Sequence, residues 1–336
     1  MNMWWLLPAC AVVALFLTGA LRQYALAKSL IDVPNARSSH AVPTPRGGGV
    51  AIVVSFLVAL ILATSMGAIT LPTMWALMGA GVGIAVLGFL DDHGHIVARW
   101  RLLGHFIAAI WALYWIGGLP PLTVFGFVFD LGWVGNVLAA FYLVWLLNLY
   151  NFMDGIDGIA SVEAIFVCLG ATLLYWLTGN GVLALLPLLL AFAVSGFLYW
   201  NFPTARIFMG DAGSGFLGIT LGVLSLQAAW AAPQLLWSWL ILLGVFIVDA
   251  TWTLFRRLLR GEKVYEAHRS HAYQFASRKY KKHLPVTLGV AAINLCWLLP
   301  IALLVANGYL DGLLGVLIAY VPLAALAVKF NAGGKE

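Results

Sequence analysis

The chain has 336 residues, of which 63% are hydrophobic and only 9% charged, where an ordinary soluble domain carries about 25% charged residues. That balance excludes a water-soluble globular domain, and the three cysteines, all inside apolar runs, give neither a disulfide framework nor a thiolate metal site. The net charge of +5 comes from basic residues confined to short gaps, so it is no argument for nucleic acid.

About eleven apolar runs of roughly 17–25 residues follow one another, each long enough to cross a bilayer core. They are centred near Ala14, Phe56, Gly81, Ala109, Leu143, Leu169, Leu189, Gly222, Leu242, Ala292 and Leu317. In lipid the backbone must satisfy its own hydrogen bonds, and runs of this length do so as helices. The expectation is an all-α polytopic membrane protein, one integral domain over 1–336 without a soluble module. Alternate gaps hold all eighteen Lys and Arg, whereas the opposite gaps hold only Asp130 and Asp311. The positive-inside rule makes the basic gaps cytoplasmic loops, approximately 22–48, 91–101, 150–159, 201–212 and 256–285. The N-terminus is then periplasmic, the C-terminus cytoplasmic, and the localisation a bacterial inner membrane. Nothing basic precedes the first run, so a removable signal peptide is not expected; "LPAC" at Leu7 to Cys10 comes too early for a lipoprotein box.

Polar residues gather at the cytoplasmic ends. The first loop carries "PTPRGGG", where Arg46 leads into three glycines at a helix start; linker and phosphate contact are both open there. Asp91 and Asp92 end the third helix in "GFLDDHGHIVARWR". His93 and His95 beside them would allow a zinc site, and His105 reads as an interior helix residue. After the fifth run comes "NLYNFMDGIDGIA", in which Asn148, Asn151, Asp154 and Asp157 recur every three residues and share a helix face until glycine ends it. Asp211 follows the seventh run in "NFPTARIFMGDAGSGFLG". Acids at helix ends can be plain boundary markers, but five on one face, three of them beside glycine-rich turns, point to a cation among them. Hard oxygen donors suit Mg²⁺ or Mn²⁺ together with substrate phosphates. The loop from Arg256 to Lys282 adds "HRSH", where His268, Arg269 and His271 form a candidate phosphate clamp, while Arg278 to Lys282 read as topology. Asp249, inside the ninth run, has no role legible in the sequence beyond a buried hydrogen bond. These features imply phosphoryl or phosphoglycosyl transfer with a lipid substrate, governed mostly by positioning and charge neutralisation.

In "PTPRGGG", "GFLDD" with "RWRLL", "NLYNFMDGIDGIA", "NFPTARIFMGDAGSGFLG" and "HRSHAYQ", taken in order over nearly the whole chain, the sequence resembles the polyprenyl-phosphate N-acetylhexosamine-1-phosphate transferases. The resemblance implies about ten or eleven membrane helices with a cytoplasmic active site, in keeping with the topology read from the basic residues. It further implies transfer of a sugar 1-phosphate from a UDP-N-acetyl sugar to undecaprenyl phosphate, with release of UMP and dependence on Mg²⁺. By position, Asp211 matches the main metal ligand, with Asp154 and Asp92 completing the metal set. Asp91 and Asp92 match the family's aspartate pair, which the resemblance gives the handling of the lipid phosphate or of its proton. Asn151, Asp154 and Asp157 match the nucleotide and metal side, and Asn201 and Phe208 the positions that hold or stack uracil. His268 and His271 match the histidine motif near the sugar phosphate, with Arg269 between them; Arg46, Arg101 and Asn148 complete the substrate side. The partners implied are the two substrates and membrane lipid, with a homodimer left open.

Departures narrow the branch. Arg101 and Arg206 stand where lysine is common in the family, which keeps charge but not hydrogen-bond geometry. "HRSH" replaces a three-histidine run, arguing against a muramyl-pentapeptide substrate, and the first loop looks most like the O-antigen-initiating branch. That favours UDP-GlcNAc or a 6-deoxy donor such as UDP-FucNAc or UDP-QuiNAc. Two rivals remain. "DGIDG" begins the pattern of CDP-alcohol phosphatidyltransferases, but Ser161, Val162, Tyr175 and Gly179 break it. A secondary transporter would place its carboxylates near the bilayer midplane rather than at helix ends.

Overall fold

The computed structural model describes residues 3–34, 40, 42–94, 96–262 and 268–335. Each apolar centre falls on a helix. In chain order the helices are α1 (Leu6–Ala27), α2 (Val50–Ser65), α3 (Leu71–Gly94), α4 (Ala98–Ile116), α5 (Gly132–Met153), α6 (Ile159–Leu177), α7 (Leu185–Asn201), α8 (Asp211–Ala231), α9 (Pro233–Leu242), α10 (Gly244–Leu259), α11 (Ala272–Tyr280), α12 (Leu284–Ile293), α13 (Leu299–Ala306) and α14 (Gly312–Lys329). Two short antiparallel ladders lie in the connections, β1 (Ile31–Asp32) with β2 (Thr44–Pro45) and β3 (Leu122–Val124) with β4 (Phe127–Phe129).

Among the described residues, eight helical stretches are long and apolar enough to cross a membrane, nine if the bent pair α9–α10 is one span. The eleven apolar runs exceed this number for local reasons. α2 has only 16 residues. α4 opens with Arg99 and Arg101 and carries His105, which lower its apolarity. α9 and α10 meet at an angle of 69°. The span Leu284–Ala306 is counted whole, although α12 and α13 within it are joined by a π-helical turn, Asn294–Leu298, that ends two residues before Pro300. Proline has no N–H to give the helical ladder, and the widened turn accommodates the gap.

α8 is the hub, buried almost throughout and packed against α3 and α5. Helices in lipid associate by close backbone packing, because lipid offers no water to expel. Gly88 and Gly218 supply that closeness: a Cβ on Gly88 would stand 2.5 Å from the Asp211 carbonyl carbon, and one on Gly218 2.5 Å from Leu147 Cα. α1 and α14, by contrast, expose much of their apolar surface, as membrane-facing helices do.

The two ends of the bundle differ. One end gathers the basic connections and the glycine-rich acidic motifs. At the other, Asp311 caps α14 by accepting from Leu313 N at 2.9 Å, and it also accepts from Phe125 N of the β3–β4 hairpin at 2.6 Å. Trp237 Nε1 fixes the same hairpin through Thr123 O at 3.0 Å. The acids of this end therefore serve backbone capping.

Candidate active site

At the polar end, segments distant in sequence are tied together by backbone. Residues 45–49 run alongside 208–209: Phe208 N donates to Pro45 O (2.8 Å), Gly48 N to Phe208 O (2.9 Å) and Gly49 N to Met209 O (2.8 Å). "PTPRGGG" and "IFMGD" are thus two sides of one strand-like pair. The second contact joins α3 to α8, where Asp92 Oδ2 accepts from Asp211 N at 3.1 Å. Gly210, with φ +80°, makes the approach: a Cβ there would lie 2.7 Å from Asp92 Oδ2, and only glycine adopts that backbone freely.

These contacts enclose a cavity of about 370 Å³ lined by Asp32, His40, Arg46, Asp92, Asn151, Asp154, Asp157, Asn201, Phe208, Asp211, Ser214, Gln274 and His283, among others. Arg46 reaches over Asp92, donating from Nη2 to its carbonyl oxygen, with Nη1 3.8 Å from Oδ1. Asp91 lies just behind. Its Oδ1 accepts from Ile96 N at 2.6 Å, its Oδ2 from Arg101 Nη1, and the same guanidinium stands 3.9 Å from Asp211 Oδ2. Asp91, Arg101, His105, Asn148, Asn151 and Asp211 line a side pocket of about 30 Å³, room for about one water. Asn148 is held there by His105 Nδ1 (3.2 Å) and Val144 O (2.7 Å). Asn151 Nδ2 donates to Ser214 Oγ at 3.0 Å.

Two of the expected site residues are braced by the chain itself. Asp157 accepts from Ala205 N (3.1 Å) with Oδ2 and faces His283 Nδ1 (3.1 Å) with Oδ1. Asn201 accepts from Gly158 N at 3.0 Å and donates to Ile207 O at 3.0 Å, stapling the end of α7 to the Asp157 turn. Phe208 meets the edge of the His40 ring at 4.8 Å between centroids.

Electrostatically the cavity is strained toward the negative. Burial holds the Asp154 carboxyl well above the usual carboxylate range, and repulsion from Asp211, Asp92 and Asp157 adds to it. Among the described residues no three His, Cys, Asp or Glu side chains stand together ready to hold a metal ion. Asp92, Asp154 and Asp211 line one cavity and repel one another; their chemistry is that of the hard oxygen donors a Mg²⁺-like ion takes, though they do not stand in a ready coordination cluster. A zinc site has less behind it: His93 Nδ1 is engaged with Phe89 O at 2.8 Å, and His95 lies outside the described residues.

The His–Arg–Ser–His turn is placed elsewhere. His268, Arg269 and His271 are not among the cavity's lining residues. His268 Nδ1 pairs with Ser270 Oγ at 2.9 Å, and its ring stacks on His271 at 4.9 Å. Burial, with His271 and Arg257 nearby, pushes its pKa down to about 3, so it is a neutral imidazole at physiological pH. His271 Nδ1 lies 3.3 Å from Asp249 Oδ1. Asp249 also accepts from Ala272 N (2.9 Å) and Tyr273 N (3.1 Å), which makes it the anchor of the α11 N-terminus. Sequence reasoning missed this role, and it missed His283, Gln274, Asp32, His40 and Ser214 as cavity residues. His283 was hidden in a basic stretch that topology already accounts for, and Gln274 carries no charge to signal it.

The fold and the site define a multi-pass α-helical membrane protein with a polyacidic cavity at its basic end. The sequence model of glycosyl transferase family 4 matches residues 74–229, the stretch that contributes Asp91 through Asp211. Over 270 residues the chain is 33% identical to a probable undecaprenyl-phosphate N-acetylglucosaminyl 1-phosphate transferase of Bacillus subtilis, covering 78% of this chain and 74% of that protein. It is 30% identical to the decaprenyl-phosphate N-acetylglucosaminephosphotransferase of Mycolicibacterium smegmatis, covering 78% and 72%. A phospho-N-acetylmuramoyl-pentapeptide-transferase of Moorella thermoacetica is 33% identical over a shorter match, 58% of this chain and 64% of that protein. The chain belongs to glycosyl transferase family 4, the polyprenyl-phosphate sugar-1-phosphate transferases.

Proposed function

We propose that the protein transfers an N-acetylhexosamine 1-phosphate from a UDP-N-acetyl sugar to undecaprenyl phosphate and releases UMP, on the cytoplasmic face of a bacterial inner membrane. The observation that carries this reading is the convergence of Asp92, Asp154, Asp157 and Asp211 from three chain segments on one cavity, with Asp91 immediately behind. UDP-GlcNAc is the first donor to test, since the Bacillus subtilis and Mycolicibacterium smegmatis relatives, matched over 74% and 72% of their length, are named for N-acetylglucosamine transfer. The 6-deoxy donors and a role at the start of O-antigen synthesis rest on the first-loop motif.

Mg²⁺ held by Asp211, Asp154 and Asp92 would neutralise the donor's diphosphate. Arg46, which lines the cavity, would hold a phosphate group as well, and Phe208 would seat the base. Arg101 would act from the side pocket through Asp91 and Asp211. Asn201, whose amide is spent on Gly158 N and Ile207 O, would shape that seat rather than touch the base. A phosphate monoester has a second pKa of about 6, so the acceptor is largely dianionic and a general base has little to remove. The acceptor oxygen then bonds to the donor's β-phosphorus while the bond from that phosphorus to the bridging oxygen breaks, and UMP departs with the electron pair. His268 and His271 would bear on this site only if the turn that carries them closes over the donor.

The test incubates purified protein with undecaprenyl phosphate, Mg²⁺ and a panel of UDP-N-acetyl sugars, and identifies the lipid product by mass. One sugar-diphospholipid matched by equimolar UMP is expected. No product with any donor would overturn the reading, and a phospho-sugar adduct trapped on Asp91 or Asp92 would overturn the direct attack.

A further inference from the structure

We propose that the segment following α14, Asn331 to Gly334, is a positioning strap that holds α11 against the acidic cavity; what the cavity does rests on the function proposed above. Ala332 is fully buried, unlike a frayed tail. Arg256 Nη1, on α10, donates to Ala332 O at 2.7 Å and lies 3.4 Å from Asn331 Oδ1. Gly333 N donates to Ser270 O at 2.6 Å, which ties the segment to the turn that opens α11. The fit is specific to glycine. Gly333 has φ +69°, and a Cβ there would stand 2.8 Å from Thr253 O and 2.9 Å from Arg256 Cβ.

The contact continues inward. Ser270 adjoins His271, and the first amides of α11 are fixed on Asp249. One residue into the helix, the Tyr273 hydroxyl donates to Phe152 O at 2.9 Å, and a Cβ on Gly155 would lie 2.1 Å from that hydroxyl. The next residue, Gln274, lines the cavity. α11 is therefore wedged against the turn that presents Asp154, and the strap closes the wedge from behind. A loosened strap lets α11 retreat, and Gln274 and the Asp154 turn lose their backing.

The test measures hydrogen exchange of the purified full chain in detergent without substrate, in parallel with UMP release. The variants are Gly333→Ala and a truncation after Phe330, with Lys335→Ala, an exposed neighbour, as control. Expected are amides of residues 268–280 exchanging at least about tenfold faster in the first two proteins, exchange in α3, α5 and α8 unchanged, and turnover lowered about tenfold. Lys335→Ala should match the parent in both. Unchanged exchange over 268–280, or faster exchange with full turnover, overturns the strap. If the parent protein transfers no sugar at all, the proposed function fails instead, and exchange over 268–280 and 152–157 still decides whether the strap holds α11.

Discussion

Asp211 and Lys281 lie at the same end of the bundle, yet their surroundings predict opposite sensitivity. Asp211 sits at the first position of α8, facing Arg101 and the cavity; Lys281 is an exposed residue after α11. Asp211→Asn keeps the size and removes the charge that a divalent ion needs, so turnover should fall at least about a hundredfold. Lys281→Ala should stay within about twofold, as surface charges usually do. UMP release at saturating Mg²⁺ checks both, and a fully active Asp211→Asn enzyme would remove Asp211 from the metal site. Asp154 adds a pH dependence. Its folded-state pKa is raised, so between about 3.9, the ordinary aspartate value, and the raised value the native protein holds a proton that the unfolded chain has lost. Stability must therefore decline as pH rises through that window. In EDTA, the melting temperature should drop from pH 5 to pH 8; Mg²⁺ should restore it at pH 8, and Asp154→Asn should flatten the slope. A rising slope in EDTA would contradict the assignment. The flanking glycines made these acids legible, but the shared helix face expected for Asn148, Asn151, Asp154 and Asp157 stops at Met153, where α5 ends, so Asp154 is its C-cap and Asp157 lies in the turn beyond. The Asp157–His283 pair was not legible, since its partners are over a hundred residues apart and neither motif implies the other.

Helix ends, rather than helix interiors, decide how these residues are presented. The break between α9 and α10 turns Asp249 toward the start of α11, where it accepts from two backbone amides and Thr253 Oγ1. An acid inside an apolar run reads the same in sequence whether it relays protons or caps a helix, because the difference lies in a partner more than twenty residues on. Asp249→Ala should cost about 1–2 kcal/mol, the usual loss for a helix cap, and expose α11 while sparing the long spans. A lower melting temperature with faster exchange confined to 268–280 is the expected pattern. Exchange unchanged over α11 would show that the cap contributes nothing. α2 and α4 teach a related lesson about elements. Their apolar centres were plain, but 16 residues in one and two arginines at the head of the other leave length and composition short of a span, so existence was easier to read than extent.

For the whole molecule, the harder question is which apolar helix packs on which, because every oily face looks equally acceptable to every other. The sequence shows where the apolar helices lie and puts the polar motifs at one end, but the pairing is written only in small residues. Gly88 is the clearest case. It brings α3 so close to α8 that its added Cβ would meet the backbone at Asp211 and Ala212 at 2.5 Å, and one turn further on Asp92 accepts from Asp211 N. Packing and site are thus one feature, since the separation of α3 and α8 sets the separation of two of the three carboxylates proposed to hold the metal. Backbone on both sides leaves no flexible side chain to yield, so Gly88→Ala must push the helices apart. The expected result is a melting temperature lower by several degrees, consistent with overpacking of about 1–3 kcal/mol, and weaker binding of Mn²⁺, measured by its paramagnetic resonance in detergent. Gly83→Ala, on the same helix with open space around its Cβ position, is the matched control and should leave both unchanged. If Gly88→Ala bound Mn²⁺ as tightly as the parent protein, the α3–α8 contact would be packing alone, and Asp92 would have to leave the metal set.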